Sequence, residues 1–159
     1  CTFTHPSTSS YDIIILPRGD LMKGQLTKRD ITLIEHCRKH LPITSDMAAI
    51  LFYPNRYIAQ RRLNTIHQLR QLKRTERIVV NQPYIYYLDK RDIRHLPFTK
   101  LLYDLRQNEY DISEYDFDGR TLTAIIHKDE LSYKINSTIQ NIEQVYKRLS
   151  LIAKKNPSQ

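Results

Sequence analysis

Side chains able to donate hydrogen bonds recur along one side of segment 55–69. If this segment is helical, a spacing of three or four residues places four of them on one face, namely Tyr57, Arg61, Thr65 and Gln68. Arginine makes bidentate hydrogen bonds to guanine and glutamine makes them to adenine, so such a face can read base edges in the major groove of DNA. Asn55, Arg56 and Tyr57 would lie at the helix N-terminus, where side chains enter the groove first and free backbone amides can bind a phosphate.

Further polar and basic residues complete the predicted DNA-binding set. Gln60, Arg62 and Asn64 flank the helix face, and the latter two are suited to contact the neighbouring phosphates. A predicted β-hairpin follows, with its base and tip supplying further candidates for backbone or minor-groove contacts. These are Lys73, Arg74 and Arg77 at the base and Asn81, Gln82 and Tyr84 at the tip.

Three predicted helices position these residues. Thr27 is a candidate N-cap with Asp30 three residues on, a variant of the capping box, and Ile31, Ile34, Cys37 and Leu41 follow at helical spacing up to Pro42. Thr44 or Ser45 caps a short second helix, whose predicted inner face is Met47, Ile50 and Leu51. Asn55 caps the third helix, with Ala59, Leu63 and Ile66 facing inward.

After the third helix the pattern changes to strands. Segments 77–80 and 84–88 read as two strands joined at 81–83. Three helices followed by a hairpin predict an α+β fold that begins with a winged helix-turn-helix. We expect an N-terminal arm with a short strand (1–25), a winged helix domain (26–94) and a smaller C-terminal part (95–159).

The C-terminal part is predicted as a helix, a hairpin and a helix. Segment 99–107 looks helical, and strands 112–117 and 122–127 meet at the turn pair Asp118-Gly119. A last helix over 134–154 would carry apolar residues at spacings of four and three, namely Ile135, Ile139, Ile142, Tyr146 and Leu149. This spacing suits a helix pair that makes a homodimer, and it equally suits an amphipathic helix packed on its own domain.

The positive charge is unevenly distributed. The chain carries a net charge of +8, and residues 1–94 hold 16 Lys and Arg against 8 Asp and Glu, whereas residues 95–159 hold 9 of each. A one-sided excess attracts a polyanion such as DNA. No apolar run approaches the roughly 18 residues of a transmembrane helix, no signal sequence stands at the start, and Cys1 and Cys37 make no disulfide framework. We therefore expect a cytoplasmic protein without a membrane partner.

Catalytic chemistry is a weaker hypothesis. His36 and His40 have a zinc-like spacing without a third ligand, so no metal and no other cofactor is expected. The acidic residues Asp111, Glu114, Asp116 and Asp118, with Lys128 on the next strand, leave a metal-dependent nuclease as an alternative. The other alternative is a protein–protein adaptor that uses the same fold. We assign no catalytic residue and do not expect an enzyme.

Five short motifs resemble the replication-relaxation family, winged helix proteins of plasmids and mobile elements. They are Leu26-Thr27-x-Arg29-Asp30, Ile43-Thr44, Leu51-Phe52-Tyr53-Pro54-Asn55-Arg56, Arg61-Arg62-Leu63 and Pro83-Tyr84-Ile85-Tyr86-Tyr87-Leu88. The resemblance covers residues 26–90 and departs at Arg70-Gln71-Leu72, where the family tends to have Gly-Leu-Leu. It implies a recognition helix containing Arg61 and Arg62, a wing at 84–88, and a role in transcription regulation or as a replication or relaxosome accessory factor acting with other plasmid-encoded proteins.

Overall fold

The structure, a computed structural model, describes residues 25–75 and 83–155. These residues form helices and two small antiparallel sheets. The predicted N-terminal arm and strand before residue 25 lie outside the described residues, as do the predicted strand at 77–80 and the candidate contacts Arg77, Asn81 and Gln82. The predicted α+β class is confirmed.

The first group of elements comprises three helices and three short strands. In chain order they are α1 (Lys28–Arg38), β1 (Ile43–Thr44), α2 (Ser45–Leu51), α3 (Arg56–Gln68), β2 (Lys73–Arg74) and β3 (Ile85–Tyr87). The second group opens with a 3-10 helix (Lys90–His95) and continues with α4 (Leu96–Gln107), β4 (Asp111–Phe117), β5 (Leu122–Lys128), β6 (Leu131–Ser137) and α5 (Ile142–Lys155). Among the described residues, no helix is both long enough and apolar enough to cross a membrane.

The predicted caps of the first three helices are confirmed. Thr27 Oγ1 accepts from the Asp30 N–H (3.2 Å) and the Asp30 carboxylate accepts from the Thr27 N–H (2.8 Å), which completes a capping box. Thr44, rather than Ser45, caps α2, and Asn55 caps α3 by accepting from the Ile58 N–H at 2.9 Å. These side chains satisfy amides that have no partner within their own helices.

The first core lies between α1, α2 and α3. Ala59, Leu63 and Ile66 are fully buried, so the predicted inner face of α3 is confirmed. One inward assignment was wrong: Ile50 is 36% exposed because the seven-residue α2 buries Met47 and Ala48 instead. On α1, Leu33 and Ile34 face the core and Ile31 is partly exposed.

β1 joins α1 to α2 and forms the first sheet with the two later strands, in the order β1-β3-β2. All neighbours are antiparallel, with Ile43 opposite Tyr86 and Lys73 opposite Tyr87. The strand predicted at 84–88 is therefore confirmed at 85–87. Its partner begins at Lys73, four residues before the predicted strand, and the pairing of β1 was not predicted.

The second core lies between α4, α5 and the sheet β4-β5-β6. The predicted hairpin is confirmed: Asp118 Oδ1 accepts from the backbone N–H groups of Arg120 and Thr121, both at 2.9 Å, and so closes the turn. The last helix was predicted to start at residue 134, and this was wrong. Residues 134–137 belong to β6, and α5 begins only at Ile142. Ile135 is therefore a buried strand residue opposite Ala124, and Ile139 is a 49% exposed residue of the following connection.

The apolar face of α5 packs on its own sheet. Ile142, Val145, Tyr146 and Leu149 are partly buried against the second core, and the Tyr146 hydroxyl donates to Asp104 of α4 at 2.6 Å. This is the arrangement of an amphipathic helix packed within its own domain. The five residues predicted for dimerisation do not form one exposed helical stripe, so that surface is corrected.

Buried polar contacts connect the two groups of elements. His36 of α1 lies 2.7 Å from the Tyr115 hydroxyl and 3.2 Å from Thr99 Oγ1, and the Thr99 hydroxyl donates to the Pro42 carbonyl at 2.6 Å. Because the Thr99 proton is used in that bond, Nε2 of His36 must donate to Thr99 and Nδ1 must accept from Tyr115. Leu41, before the predicted domain boundary, is buried in the second core.

Candidate nucleic-acid interface

The outer face of α3 is exposed and has no acidic residue. Helix residues 56–68 include three arginines and no Asp or Glu. Tyr57 is 67% exposed, which is high for an aromatic side chain. The other exposed members of the predicted set are Asn55, Arg56, Gln60, Arg61, Asn64 and Gln68, and Thr65 is partly exposed. The structure thus brings most of the helical candidates onto one solvent-facing surface, which we call the α3 face.

Arg61 lies at the middle of the α3 face. Its guanidinium carbon lies 5.5 Å from the centroid of the Tyr57 ring. No carboxylate of the described residues forms an ion pair with Arg61. Stacking on an aromatic ring restrains the guanidinium without consuming its five donors, so Arg61 can bind an acceptor from a partner.

Arg62, the next residue, has a different environment. Its guanidinium forms a salt bridge with the fully buried Asp30 and donates to the Gln25 carbonyl at 2.7 Å, and only 18% of the side chain is exposed. Tyr53 donates to the other oxygen of Asp30 at 2.6 Å. The prediction that Arg62 contacts DNA backbone is therefore corrected, because its Nε and Nη2 groups donate to Asp30 and Gln25 inside the protein.

The Asp30 cluster ties three parts of the chain together. The hydrogen bond from Arg62 to Asp30 raises the pKa of the guanidinium, and burial together with the bond to Asp30 raises the pKa of the Tyr53 hydroxyl. The Asp30 carboxylate therefore has the charged guanidinium of Arg62 and the protonated hydroxyl of Tyr53 as its partners. A buried charge with this many donors is satisfied, whereas an isolated one would be costly.

At the start of the α3 face, Arg56 forms an ion pair with Asp46 of α2 at 2.9 Å. Both side chains are about half exposed or more, at 65% and 47%. Exposed pairs contribute about 0–1 kcal/mol, so a phosphate can replace Asp46 as the partner at little cost. Arg56 therefore remains available at the helix N-terminus.

Arg74 connects the α3 face to the first sheet. Its Nη1 donates to Asn64 Oδ1 at 3.1 Å and to the Tyr86 hydroxyl at 3.4 Å, and its guanidinium carbon lies 4.2 Å from the centroid of the Tyr84 ring. Lys73 beside it is exposed. Arg74, which was predicted at the base of the hairpin, thus orients α3 relative to β3. Lys73 extends the basic surface beyond the helix.

The acidic residues of the C-terminal sheet do not converge. Asp111 pairs with Arg106 at 3.1 Å, Asp118 closes its turn, and Lys128 donates to the Asn108 carbonyl at 3.0 Å. Across the ranges that the structure describes, no three His, Cys, Asp or Glu residues form a group able to hold a metal. The geometry therefore gives no support to the nuclease alternative.

The two histidines predicted to share a helix face, His36 and His40, have different environments. Burial lowers the pKa of His36 to about 3, so it is neutral and hydrogen-bonded inside the protein. His40 adopts a positive φ of 69° after the helix has ended, and its Nδ1 lies 3.3 Å from Asp92. They do not form the i, i+4 pair that zinc binding needs.

Sequence reasoning missed the role of Asp30, although the sequence contains a usable signal. Asp30 precedes the buried residues Leu33, Ile34 and Cys37 by three, four and seven positions. This spacing places its carboxylate on the buried face of α1. A buried carboxylate requires a cation, and the arginine-rich α3 contains the candidates. What the sequence does not tell is which of the two adjacent arginines faces inward.

Comparison of this chain with family models, with curated proteins and with solved structures finds no match. Its function is therefore argued from the geometry above.

Proposed function

We propose that this chain is a sequence-specific double-stranded DNA-binding protein of the winged helix-turn-helix class, with α3 as its recognition helix. The observation that carries the proposal is the α3 face: an exposed helix surface with donors along its length and no Asp or Glu of its own, with an arginine at its centre that forms no ion pair with any described residue. Such a face fits a major groove, which is lined by acceptors and bordered by phosphates.

The order of elements supports the class. α1, β1, α2 and α3 are followed by two strands, and β1 pairs with the second of them at the edge of the sheet. In a winged helix this sheet supports the recognition helix, and the connection between its last two strands forms the wing. Here that connection contains residues 76–82 and the exposed Lys73 lies at its base.

Two kinds of contact follow from the side-chain environments. Arg61 is the candidate for base recognition, because its guanidinium is exposed, restrained by Tyr57 and not paired with any carboxylate that the structure describes. Arg56 and Lys73 are candidates for phosphate contacts at the two ends of the surface. Arg62 contributes indirectly by holding α3 against α1.

The first test is selection of bound sequences from a random duplex pool, followed by fluorescence anisotropy on the selected duplex. We expect binding to weaken with salt, with a log–log slope of about −0.9 for each phosphate contact. Arg61→Ala should weaken binding to the selected duplex by about 1–3 kcal/mol and weaken binding to an unrelated duplex less.

The matched control is Arg148→Ala, which removes one exposed arginine from α5, in the part of the chain (95–159) that carries no net charge. It should change the affinity neither for the selected duplex nor for the unrelated duplex. Absence of duplex binding, or binding that does not respond to salt, contradicts the proposal and favours the protein–protein adaptor. Equal losses for Arg61→Ala on both duplexes reduce Arg61 to a phosphate contact.

The biological role is a further part of the proposal. We infer a transcription regulator or a replication or relaxosome accessory factor of a mobile element, on the basis of the motifs within residues 26–90. A nicked or supercoiled plasmid substrate containing the selected site provides the test. Changed transcription from an adjacent promoter or changed nicking by the plasmid relaxase supports the corresponding role, and no effect on either contradicts both.

A further inference from the structure

A cavity of about 550 Å³ lies on the side of the molecule formed by the second group of elements. Its walls come from three places: the end of the 3-10 helix with the first turn of α4, the β4–β5 turn, and the β6–α5 connection. Each wall is described by the structure. The volume falls in the range of about 300–1,000 Å³ that small-molecule sites occupy.

The cavity combines an apolar interior with a cationic rim. Phe98 is 2% exposed and stacks on Phe117 with 4.7 Å between ring centroids, so this part of the wall is fixed. Ile139 is 49% exposed at the opposite wall. Arg94 and Arg120 are both exposed at the cavity, and no Asp or Glu is among its lining residues.

The two arginines are available to a ligand. No salt bridge between described residues includes either of them. Arg94 donates to Nε2 of His95 at 3.3 Å, which uses one of its donors and directs the side chain along the cavity wall. Arg120 belongs to the turn that Asp118 closes, so its backbone is held. Hydrogen bonds from the backbone N–H groups of Thr121 and Arg120 lower the pKa of Asp118, and the charge of Arg120 is one of the smaller causes. Its guanidinium nevertheless forms no salt bridge with a described residue.

Nearby carboxylates have other partners. A smaller groove beside the cavity shares Arg94 and His95 with it and also contains Asp89, Asp92 and Asp118. Asp89 binds Arg91 at 2.8 Å, and Asp92 lies 3.3 Å from His40. Asp118 accepts two backbone N–H groups. None of the three neutralises the rim by direct ion pairing.

We propose that this cavity binds a small organic anion, with its carboxylate or phosphate between Arg94 and Arg120 and its apolar body against Phe98 and Ile139. Guanidinium groups bind both kinds of anion through paired hydrogen bonds. The apolar wall separates this ligand class from inorganic anions, which gain nothing from contact with the exposed side chain of Ile139. The inference goes beyond DNA binding and does not depend on it.

Nuclear magnetic resonance titration of the full chain, without DNA, tests the site with three probes: phenyl phosphate, benzoate and inorganic phosphate. We expect saturable shifts of the backbone amides of Gly119, Arg120, Thr121 and Gln140, which line the cavity. Phenyl phosphate or benzoate should bind at least about tenfold more tightly than inorganic phosphate, because only they fill the apolar part. The tighter of the two organic probes identifies the head group.

Paired variants make the assignment specific. Arg120→Gln should raise the Kd of the better organic probe about tenfold or more, and Arg94→Gln gives a second, independent measure of the same cationic rim. Arg148→Gln removes an exposed arginine outside the cavity and should leave the Kd unchanged. For the apolar wall, Ile139→Ser should weaken binding, whereas Leu131→Ser, at a similarly exposed residue elsewhere, should not.

Three results would overturn the proposal. One is a set of shifts that never saturates and is scattered over surface lysines and arginines. Another is equal affinity for inorganic phosphate and the organic probes. The third is unchanged affinity in both Arg94→Gln and Arg120→Gln, with circular dichroism confirming that the variants are folded.

Discussion

The two halves of the molecule use their basic residues differently. In the helical half, α3 exposes Arg61 without an ion pair and its neighbour Arg62 is bound to a buried carboxylate. In the C-terminal half, Lys100 pairs with Asp104 and Arg106 with Asp111, whereas Arg120 forms no salt bridge with a described residue. The contrast is local: α3 has no Asp or Glu of its own near Arg61, whereas Lys100 and Arg106 each have a carboxylate four or five residues further along the chain.

The α3 helix presents the same contrast within one turn. Arg61 and Arg62 are identical in type and adjacent in sequence, yet a rotation of about 100° directs one to solvent and the other to Asp30. One therefore belongs to the proposed interface and the other to the folded framework. Experiments that separate stability from binding can test whether the two arginines differ in this way.

The largest effect is expected at Arg62. Arg62→Ala leaves the fully buried Asp30 without its cation and should lower the free energy of unfolding by about 3 kcal/mol, because removing one partner of a buried pair leaves an uncompensated charge. Urea denaturation measures the change. Arg61→Ala is the matched control, with an expected change within about 0.5 kcal/mol. Similar losses for the two variants would remove the distinction between them.

The next effect concerns the C-terminal half. Leu149 packs on the second core, whereas Leu151 on the same helix is 58% exposed. Leu149→Ala should lower the free energy of unfolding by about 2 kcal/mol, and Leu151→Ala should change it by less than about 0.5 kcal/mol. Light scattering on both variants supplies the second measurement. A smaller mass for Leu149→Ala at unchanged stability would instead support the predicted helix pair.

A pH effect is expected at the contact between the halves. In the folded protein, burial lowers the pKa of His36 to about 3, whereas in the unfolded chain a histidine has a pKa near 6.5. Between these values the unfolded chain holds more protons, so the free energy of unfolding falls as the pH decreases. At pH 5 the loss is about 2 kcal/mol relative to neutral pH.

His36→Gln should flatten this dependence between pH 6.5 and 5, since glutamine cannot be protonated. His127→Gln is the control, because His127 lies near the surface with Ser132 as its partner. Urea denaturation at several pH values measures both variants. A slope equal to that of the unchanged protein in His36→Gln would show that other groups cause the acid destabilisation.

The starts of the first three helices were predictable because they depend on local chemistry. Thr27, Thr44 and Asn55 each cap through a side chain that bonds to the amide three residues on, so short-range spacing was sufficient. The inner face of α3 was predictable for the same reason. Exposure of Tyr57 and Arg61 followed directly once Ala59, Leu63 and Ile66 faced inward.

Elements that depend on distant partners were not predictable. β1 is two residues long and exists only because Ile43 and Thr44 meet β3, more than forty residues later. Residues 134–137 of β6 were predicted as helix because apolar residues from Ile135 onward recur at spacings of four and three. The turn before β6, Asp129-Glu130, has two positive-φ residues but lacks the Gly or Asn that usually indicates such a turn. The orientation of Arg62 required the position of Asp30, on another helix.

The smallest effect is expected where α3 ends, and it acts on the helix that carries the proposed interface. Arg70 has a φ of 63°, its N–H donates to the His67 carbonyl (2.9 Å), and the next N–H donates to the Ile66 carbonyl (3.1 Å). This is a Schellman motif, in which glycine is favoured because a Cβ strains the left-handed conformation. Arg70→Gly should therefore raise the free energy of unfolding by about 0.5–1 kcal/mol, measured by urea denaturation.

Gln60→Gly, inside the same helix, provides the control for that substitution. It should lower the free energy of unfolding by about 1 kcal/mol, because glycine in a helix interior costs backbone entropy. Opposite signs at Arg70 and Gln60 would assign the gain to the left-handed position rather than to glycine in general. If both variants lose stability, the Arg70 side chain contributes a stabilising contact that outweighs the backbone strain.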